Sequence, residues 1–132
     1  MIEQISLNTA SGSSMNDITE EVNAAVLKSG IREGLCLISS PHTTAGITIN
    51  ENADPDVKTD MIKEISRIVP MNDAYRHLEG NSAAHIKATF TGLSVSLPVS
   101  GGRLVLGTWQ GVYFCDYDGP RQRRVLVTTI GE

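Results

Sequence analysis

The chain has 132 residues, of which 40% are apolar and 20% charged, with a formal net charge of −4; this is the make-up of one globular domain, spanning 1–132, with enough chain for a core of its own. An acidic balance leaves no electrostatic footprint for nucleic acid, and no apolar run reaches the ~20 residues of a membrane span. Neither nucleic acid nor membrane is therefore expected as a partner.

Met1 leads straight into the alternating segment Ile2 to Leu7, a short strand, so no signal peptide is expected and the predicted compartment is the cytoplasm. Asn8 to Ser14 is small and polar and reads as a turn. Asp17 with Glu20 three residues on resembles a capping box, Ile18, Val22, Ala25 and Val26 follow at helical spacing, and Gly30 supplies the stop. Gly34 to Ser39 is a short apolar strand. After Ser40-Pro41, Thr44 to Asn50 alternates with Ile47 and Ile49 on one face, which puts His42 on the parity of the polar face. Asp54-Pro55-Asp56 opens a second helix, with Asp54 as N-cap and Pro55 at the first helical position, and Pro70 closes it. Its buried stripe is Val57, Met61, Ile62, Ile65, Ile68 and Val69.

The stretch Asn72 to Lys87 holds two of the three histidines. Gly80 permits a tight turn, and from Ala83 onward the alternation of Ile86, Ala88 and Phe90 against His85, Lys87 and Thr89 predicts a strand with His85 and Lys87 on its polar face. Strands over Leu93 to Val99 and Arg103 to Thr108 flank the hairpin glycines 101 and 102, and Val112 to Tyr117 and Val125 to Ile130 follow, separated by Asp118-Gly119-Pro120. The predicted fold is α+β, an antiparallel β-sandwich-like body of seven to eight strands with two helices. Cys36 and Cys115 sit in apolar runs without C-x-x-C spacing, which points to buried thiols rather than structural zinc and leaves a disulfide open.

Four clusters compete for the chemistry. His42, His77 and His85 make a zinc-type ligand set with one position left over, although no H-E-x-x-H spacing fixes their geometry. Glu51 and Glu79 suit a general base or an orienting partner for a histidine, and also suit plain surface carboxylates. Lys87, Arg121, Arg123 and Arg124 can receive phosphate oxygens, although the last two also read as a solvated charge run. Lys87, sharing a predicted face with His85, is the best local cation for an anionic substrate. Trp109-Gln110 offers an aromatic face beside an amide, or a core tryptophan.

Three motifs carry a resemblance that spacing does not supply: H-T-T-A-G-I-T-I-N-E-N-A-D-P-D-V (His42 to Val57), Y-R-H-L-E-G-N-S-A-A-H-I-K-A (Tyr75 to Ala88) and G-R-L-V-L-G-T-W-Q-G-V-Y (Gly102 to Tyr113). Over essentially the whole chain the sequence resembles the YjbQ-like family, the secondary thiamine-phosphate synthases. The resemblance implies a β-rich subunit forming a homotrimer, with a polar pocket near a subunit interface. The implied activity is condensation of hydroxymethylpyrimidine diphosphate with a thiazole phosphate, with release of pyrophosphate. His42, Glu51 and Asn52 match the first motif, His77, Glu79, Gly80, Asn81, His85 and Lys87 the second, and Trp109 and Gln110 the third. The short Asn81-Ser82 link departs from a loop that is often longer in the family, which puts the lid over the pocket in doubt. The expected metal ligands, for zinc or magnesium, are His42, His77 and His85. Glu51, Glu79 and Lys87 are the expected catalytic groups, and Asn52, Asn81, Trp109, Gln110 and Arg121 the expected contacts to a small phosphorylated molecule. Two other classes compete: a non-catalytic trimer that binds a metal or small anion, and a metal-assisted hydrolase.

Overall fold

Alternating sequences become strands here because one face of each can be buried while the other meets solvent. The computed structural model describes residues 1–132. In chain order the elements are β1 (Ile2–Asn8), β2 (Gly12–Asp17), α1 (Thr19–Ser29), β3 (Glu33–Ser39), β4 (Ala45–Glu51), α2 (Pro55–Ile68), α3 (Ser82–Thr91), β5 (Ser94–Ser100), β6 (Arg103–Leu104), β7 (Gln110–Gly119) and β8 (Gln122–Gly131). The fold is α+β, with eight strands in two antiparallel sheets and three helices. One sheet has the order β1-β8-β3-β5-β6 and the other β2-β7-β4.

Between the sheets lies the main core. The five-stranded sheet contributes Ile38, Val99, Val125 and Val127, the three-stranded sheet Ile47, Val112 and Phe114, and α1 inserts Val22 and Val26. A second core lies on the other face of the three-stranded sheet, where Met15, Tyr113, Cys115 and Tyr117 meet Ala84 and Ala88 of α3, with Met61, Ile62 and Ile65 of α2 packed less closely. The central strand β7 is thus covered on both faces, which explains its nearly continuous run V-Y-F-C in place of clean alternation. Cys36 and Cys115 belong to different cores and are free thiols. Burial pushes their pKa values up, to about 11 and about 12 respectively. No helix is long and apolar enough to cross a membrane.

Three local expectations change. The polar segment before Asp17 pairs as β2 along β7, since a strand beside the buried β7 gains backbone hydrogen bonds whatever its own polarity. Predicted strand 103–108 shrinks to the two residues of β6. The largest change is at 83–90, a helix and not a strand. Ala83, Ala84, Lys87 and Ala88 are buried at helical spacing, and alanine favours a helix in a way that the apparent period-two alternation of Ile86, Ala88 and Phe90 concealed. The helix caps came out nearer to expectation. Asp54 accepts from Asp56 N–H with Pro55 at the first helical position. Gly30 ends α1 in the left-handed region, but the expected Asp17–Glu20 capping box does not form: the N-cap is Ile18, without a side-chain cap bond, and Asp17 accepts from the N–H and the hydroxyl of Thr19, at 3.0 and 2.6 Å.

Candidate functional site

At one end of the sandwich a polar bracket ties the two sheets together. Asp116 on β7 and Arg123 on β8 belong to different sheets, and both are buried, at 0% and 6% exposure. Arg123 donates from Nε and Nη2 to the two carboxylate oxygens of Asp116, at 3.0 and 2.7 Å, and from Nη2 to Thr44 Oγ1 at 2.7 Å. Thr9 Oγ1 donates to Asp116 at 2.5 Å, and Asp118 N–H donates at 2.9 Å. Burial alone would raise the Asp116 pKa, but these donors and the Arg123 charge outweigh it and hold the carboxyl below its usual range. Gly119 lets the turn after β7 close over the bracket, because a Cβ there would fall 1.9 Å from Ala10 O. That turn delivers Arg121, whose guanidinium bonds Asp118 Oδ2 at 2.9 Å.

On this floor rests a pocket of about 410 Å³ whose lining side chains are polar or charged apart from Pro41, bounded by His42, His77, Glu79, Asn81, His85, Asp118, Arg121 and Arg123 together with Thr43 and Thr44. His42 comes from the loop between β3 and β4, His77 and Glu79 from the segment after α2, and His85 from the first turn of α3. The rings of His77 and His85 meet edge to face with centroids 5.5 Å apart, and Glu79 Oε2 lies 4.0 Å from His77 Nε2. His42 packs edge-on to Phe114 and accepts the Arg124 N–H at Nε2, 3.1 Å. That acceptor role requires an unprotonated Nε2, so the neutral ring carries its proton on Nδ1. Burial lowers the His42 pKa, with the charges of Arg123 and Arg124 adding to it. Asn81 stands at the N-cap of α3, yet its side chain is diverted from capping: Nδ2 donates to Asp118 at 2.9 Å, and Oδ1 is buried without a partner. The amide cannot simply be flipped, because that would set its oxygen against the Asp118 carboxylate.

The sequence-predicted set therefore divides. His42, His77, His85, Glu79, Asn81 and Arg121 line one pocket. Glu51, Asn52, Trp109 and Gln110 lie at the opposite end of the three-stranded sheet. Six residue steps of β4 separate Ala45 from Glu51, about 20 Å at the usual strand rise. There Asn52 N–H donates to Trp109 O, Gly107 N–H donates to Gln110 Oε1, and the Tyr113 hydroxyl donates to Glu51 O. Gly111 admits Asn52, whose Nδ2 would stand 2.6 Å from a Cβ. Trp109 is not a core residue, being 63% exposed.

Lys87 also leaves the site. On a helix, residues two apart point about 200° from each other, so Lys87 turns away from His85 into the seam with α2, where it donates to Ser66 Oγ at 3.3 Å. Its predicted shared face with His85 does not exist. The reading of Arg123 as part of a solvated charge run is corrected too: only Arg124 of that pair is exposed. Asp116, Asp118 and Thr44 escaped sequence reasoning; the one signal was the alternation of Asp116 and Asp118 ahead of a turn that carries an arginine.

The donor set does not fit the expected three-histidine metal centre. His42 has committed Nε2 to a backbone donor and its proton to Nδ1, and no three histidine, cysteine or acidic side chains converge on one point. What the pocket offers is hydrogen-bond donors and free imidazoles.

The family model described as "UPF0047 protein YjbQ-like" matches residues 3–132. The UPF0047 protein YugU of Bacillus subtilis is 49% identical over 132 residues, covering 99% of this chain and 100% of its own. A YjbQ/UPF0047 protein of Clostridium acetobutylicum, known from a crystal structure, superimposes with a TM-score of 0.95 at 48% identity over 97% of this chain and 99% of its own. A YbjQ-like protein of Sulfolobus solfataricus superimposes with the same TM-score at 36% identity, over 100% and 97%.

Proposed function

Starting from the fact that this chain belongs to the YjbQ-like UPF0047 family, we propose that the histidine pocket binds the phosphate or diphosphate of a small molecule and supports transfer with loss of pyrophosphate, as in thiamine-phosphate synthesis. The observation that carries this reading is the convergence of three histidines and two arginines in a pocket lined almost wholly by polar and charged side chains. Both arginines already face carboxylates, so the pocket attracts an anion by aimed N–H donors and not by excess charge. Arg123 is held rigid by Asp116, so little order is lost when it meets a ligand. Arg121, on the turn, reaches from the other side. His42 donates through Nδ1–H.

In the proposed reaction the bond from the pyrimidine methylene carbon to the diphosphate oxygen breaks while the thiazole nitrogen bonds to that carbon. The electron pair leaves with pyrophosphate, whose developing charge Arg121, Arg123 and His42 stabilise. His77 and His85 carry the proton traffic of the departing group, with Glu79 orienting His77. Asn81 Oδ1, lacking a donor of its own, accepts from an N–H or O–H of the substrate. No step needs a covalent nucleophile. Glu51, Asn52, Trp109 and Gln110 join this site only if a second subunit brings them.

A homotrimer is the proposed assembly. Ile2, Leu35, Leu37 and Ile130 expose apolar surface on the uncovered face of the five-stranded sheet, where Leu35 pairs with Ile130. Covering that face with another copy would bury it.

Calorimetry with pyrophosphate tests the binding step. Binding should weaken about tenfold or more in Arg121→Ala and His85→Ala, the loss expected for one charge-assisted contact. Unchanged affinity in both would remove the pocket as the phosphate site. Stoichiometric zinc uptake lost on His77→Ala would favour the hydrolase reading instead.

A further inference from the structure

The loop after β3 opens a second polar hollow. β3 pairs with β8 only as far as Ser39 opposite Leu126, and the chain then crosses to β4 of the other sheet. The Arg124 N–H therefore has no strand partner on that side, and the imidazole of His42 accepts it instead. His42 thus stands between two spaces. One is the histidine pocket; the other, about 380 Å³, lies on the outer side of the five-stranded sheet and is lined by Gln4, Ser6, His42, Gln122, Arg123 and Arg124.

Alternation builds this hollow. Gln4 and Ser6 on β1, and Gln122 and Arg124 on β8, fall on the exposed parity, while Arg123 and Val125 turn inward. The register sets Ser6 opposite Arg124, so hydroxyl and guanidinium leave the sheet side by side. The apolar patch of the same face lies at its other end: six residue steps separate Arg124 from Ile130, about 20 Å at the usual strand rise.

The two spaces differ in charge. Glu79 and Asp118 line the histidine pocket, where Arg121 and Arg123 are both paired with carboxylates. No carboxylate lines the outer hollow. Arg124 is exposed, and its guanidinium enters none of the chain's ion pairs. Arg123 adds a donor from behind. Its Nε and Nη2 are taken by Asp116 and Thr44, whereas Nη1 has no protein partner and is not sealed from solvent. A side chain only 6% exposed thus keeps one unused nitrogen for the spaces it lines. An anion at Arg124 meets donors without displacing a carboxylate. A carboxylate ligand has two oxygens in one plane, which a guanidinium fork satisfies by itself. The Gln4 and Gln122 amides and the Ser6 hydroxyl supply further donors around it, as the three terminal oxygens of a phosphate monoester require.

We propose that the outer hollow is a second anion subsite, which takes a phosphate monoester: its oxygens meet the guanidinium of Arg124, the amides of Gln4 and Gln122 and the hydroxyl of Ser6, across His42 from the histidine pocket. It rests on the reading of that pocket for one point only, that the molecule in the hollow is the phosphorylated acceptor of the transfer. Acceptor and diphosphate donor then approach His42 from opposite sides.

Calorimetry on the full chain, with phenyl phosphate and pyrophosphate as separate probes, tests the assignment. Arg124→Gln keeps the backbone N–H that His42 accepts; it should weaken phenyl phosphate about tenfold or more, the loss of one charge-assisted contact, and leave pyrophosphate unchanged. Arg121→Ala should do the reverse. Gln4→Ala combined with Gln122→Ala should weaken phenyl phosphate and leave benzoate unchanged. The inference is overturned if phenyl phosphate does not bind, if it binds wild type and Arg124→Gln equally, or if it depends on Arg121 as pyrophosphate does, which would put both probes in the histidine pocket. Benzoate binding as tightly as phenyl phosphate would also overturn it, since the hollow would then read charge and not phosphate. Phenyl phosphate lost in Arg124→Gln, together with pyrophosphate affinity that ignores Arg121 and His85, would uphold the subsite and remove the reading of the histidine pocket.

Discussion

Arg123 and Lys87 are both buried cations, and the regions around them handle the same electrostatic cost in opposite ways. At the sandwich end, Arg123 meets a carboxylate held by further donors, so charge is compensated and geometry is stiff. Between α2 and α3, Lys87 has one hydroxyl and an aromatic face but no carboxylate. The first arrangement ties two sheets together and builds the floor of a pocket; the second leaves a buried charge uncompensated beside a helix that buries none of its residues. A buried charge is therefore informative mainly through its partners.

Removing the compensation should give the largest effect. Asp116→Ala leaves Arg123 buried and unpaired and should cost about 3–5 kcal/mol in urea unfolding; a loss below about 1 kcal/mol would mean that water reaches the bracket. In the histidine pocket, Arg121→Ala should change pyrophosphate affinity by about tenfold, roughly 1.4 kcal/mol, with little effect on the unfolding midpoint. The outcome separates binding from structure at the same end of the molecule.

Lys87→Met should act in the opposite direction from Asp116→Ala, raising stability at neutral pH by about 1 kcal/mol. Because burial lowers the folded-state pKa of Lys87, the unfolded chain binds more protons as pH rises through the folded pKa toward the ordinary lysine value. Wild-type stability therefore climbs over that interval, and the advantage of Lys87→Met shrinks. A gap that stays constant from pH 7 to about 10.5 would show that desolvation of the ammonium is not its source.

His42 offers a smaller effect of the same kind in the acid range. Its folded pKa is lowered, so wild-type stability should fall as pH drops from about 6.5 through the folded value. His42→Gln should flatten that part of the curve. An undiminished slope in thermal melts would place the titration elsewhere. The smallest effect belongs to the far end: Trp109→Ala, at an exposed position, should change stability by no more than about 0.5 kcal/mol. If it nevertheless weakens pyrophosphate as much as Arg121→Ala does, the two ends meet across a subunit boundary, and light scattering should return a trimer.

Much of the fold was legible because its signals are local. Alternation marked β1 and β4, an apolar run of strand length marked β3, turn residues set off β8, and Asp54-Pro55 and Gly30 marked helix ends through backbone chemistry that needs no distant partner. The histidines also stood out, and His42, His77 and His85 do line one pocket. Only the tertiary structure decided what each does there. Whether 83–90 became strand or helix depended on which face the second core would bury, and with that choice Lys87 left the site. Asp116 pairs with Thr9 across 107 positions, and Arg123 with Thr44 across 79. Contacts so remote in sequence leave no spacing to read: residue types specify what hydrogen bonds are possible, and the packing of two sheets selects which of them form.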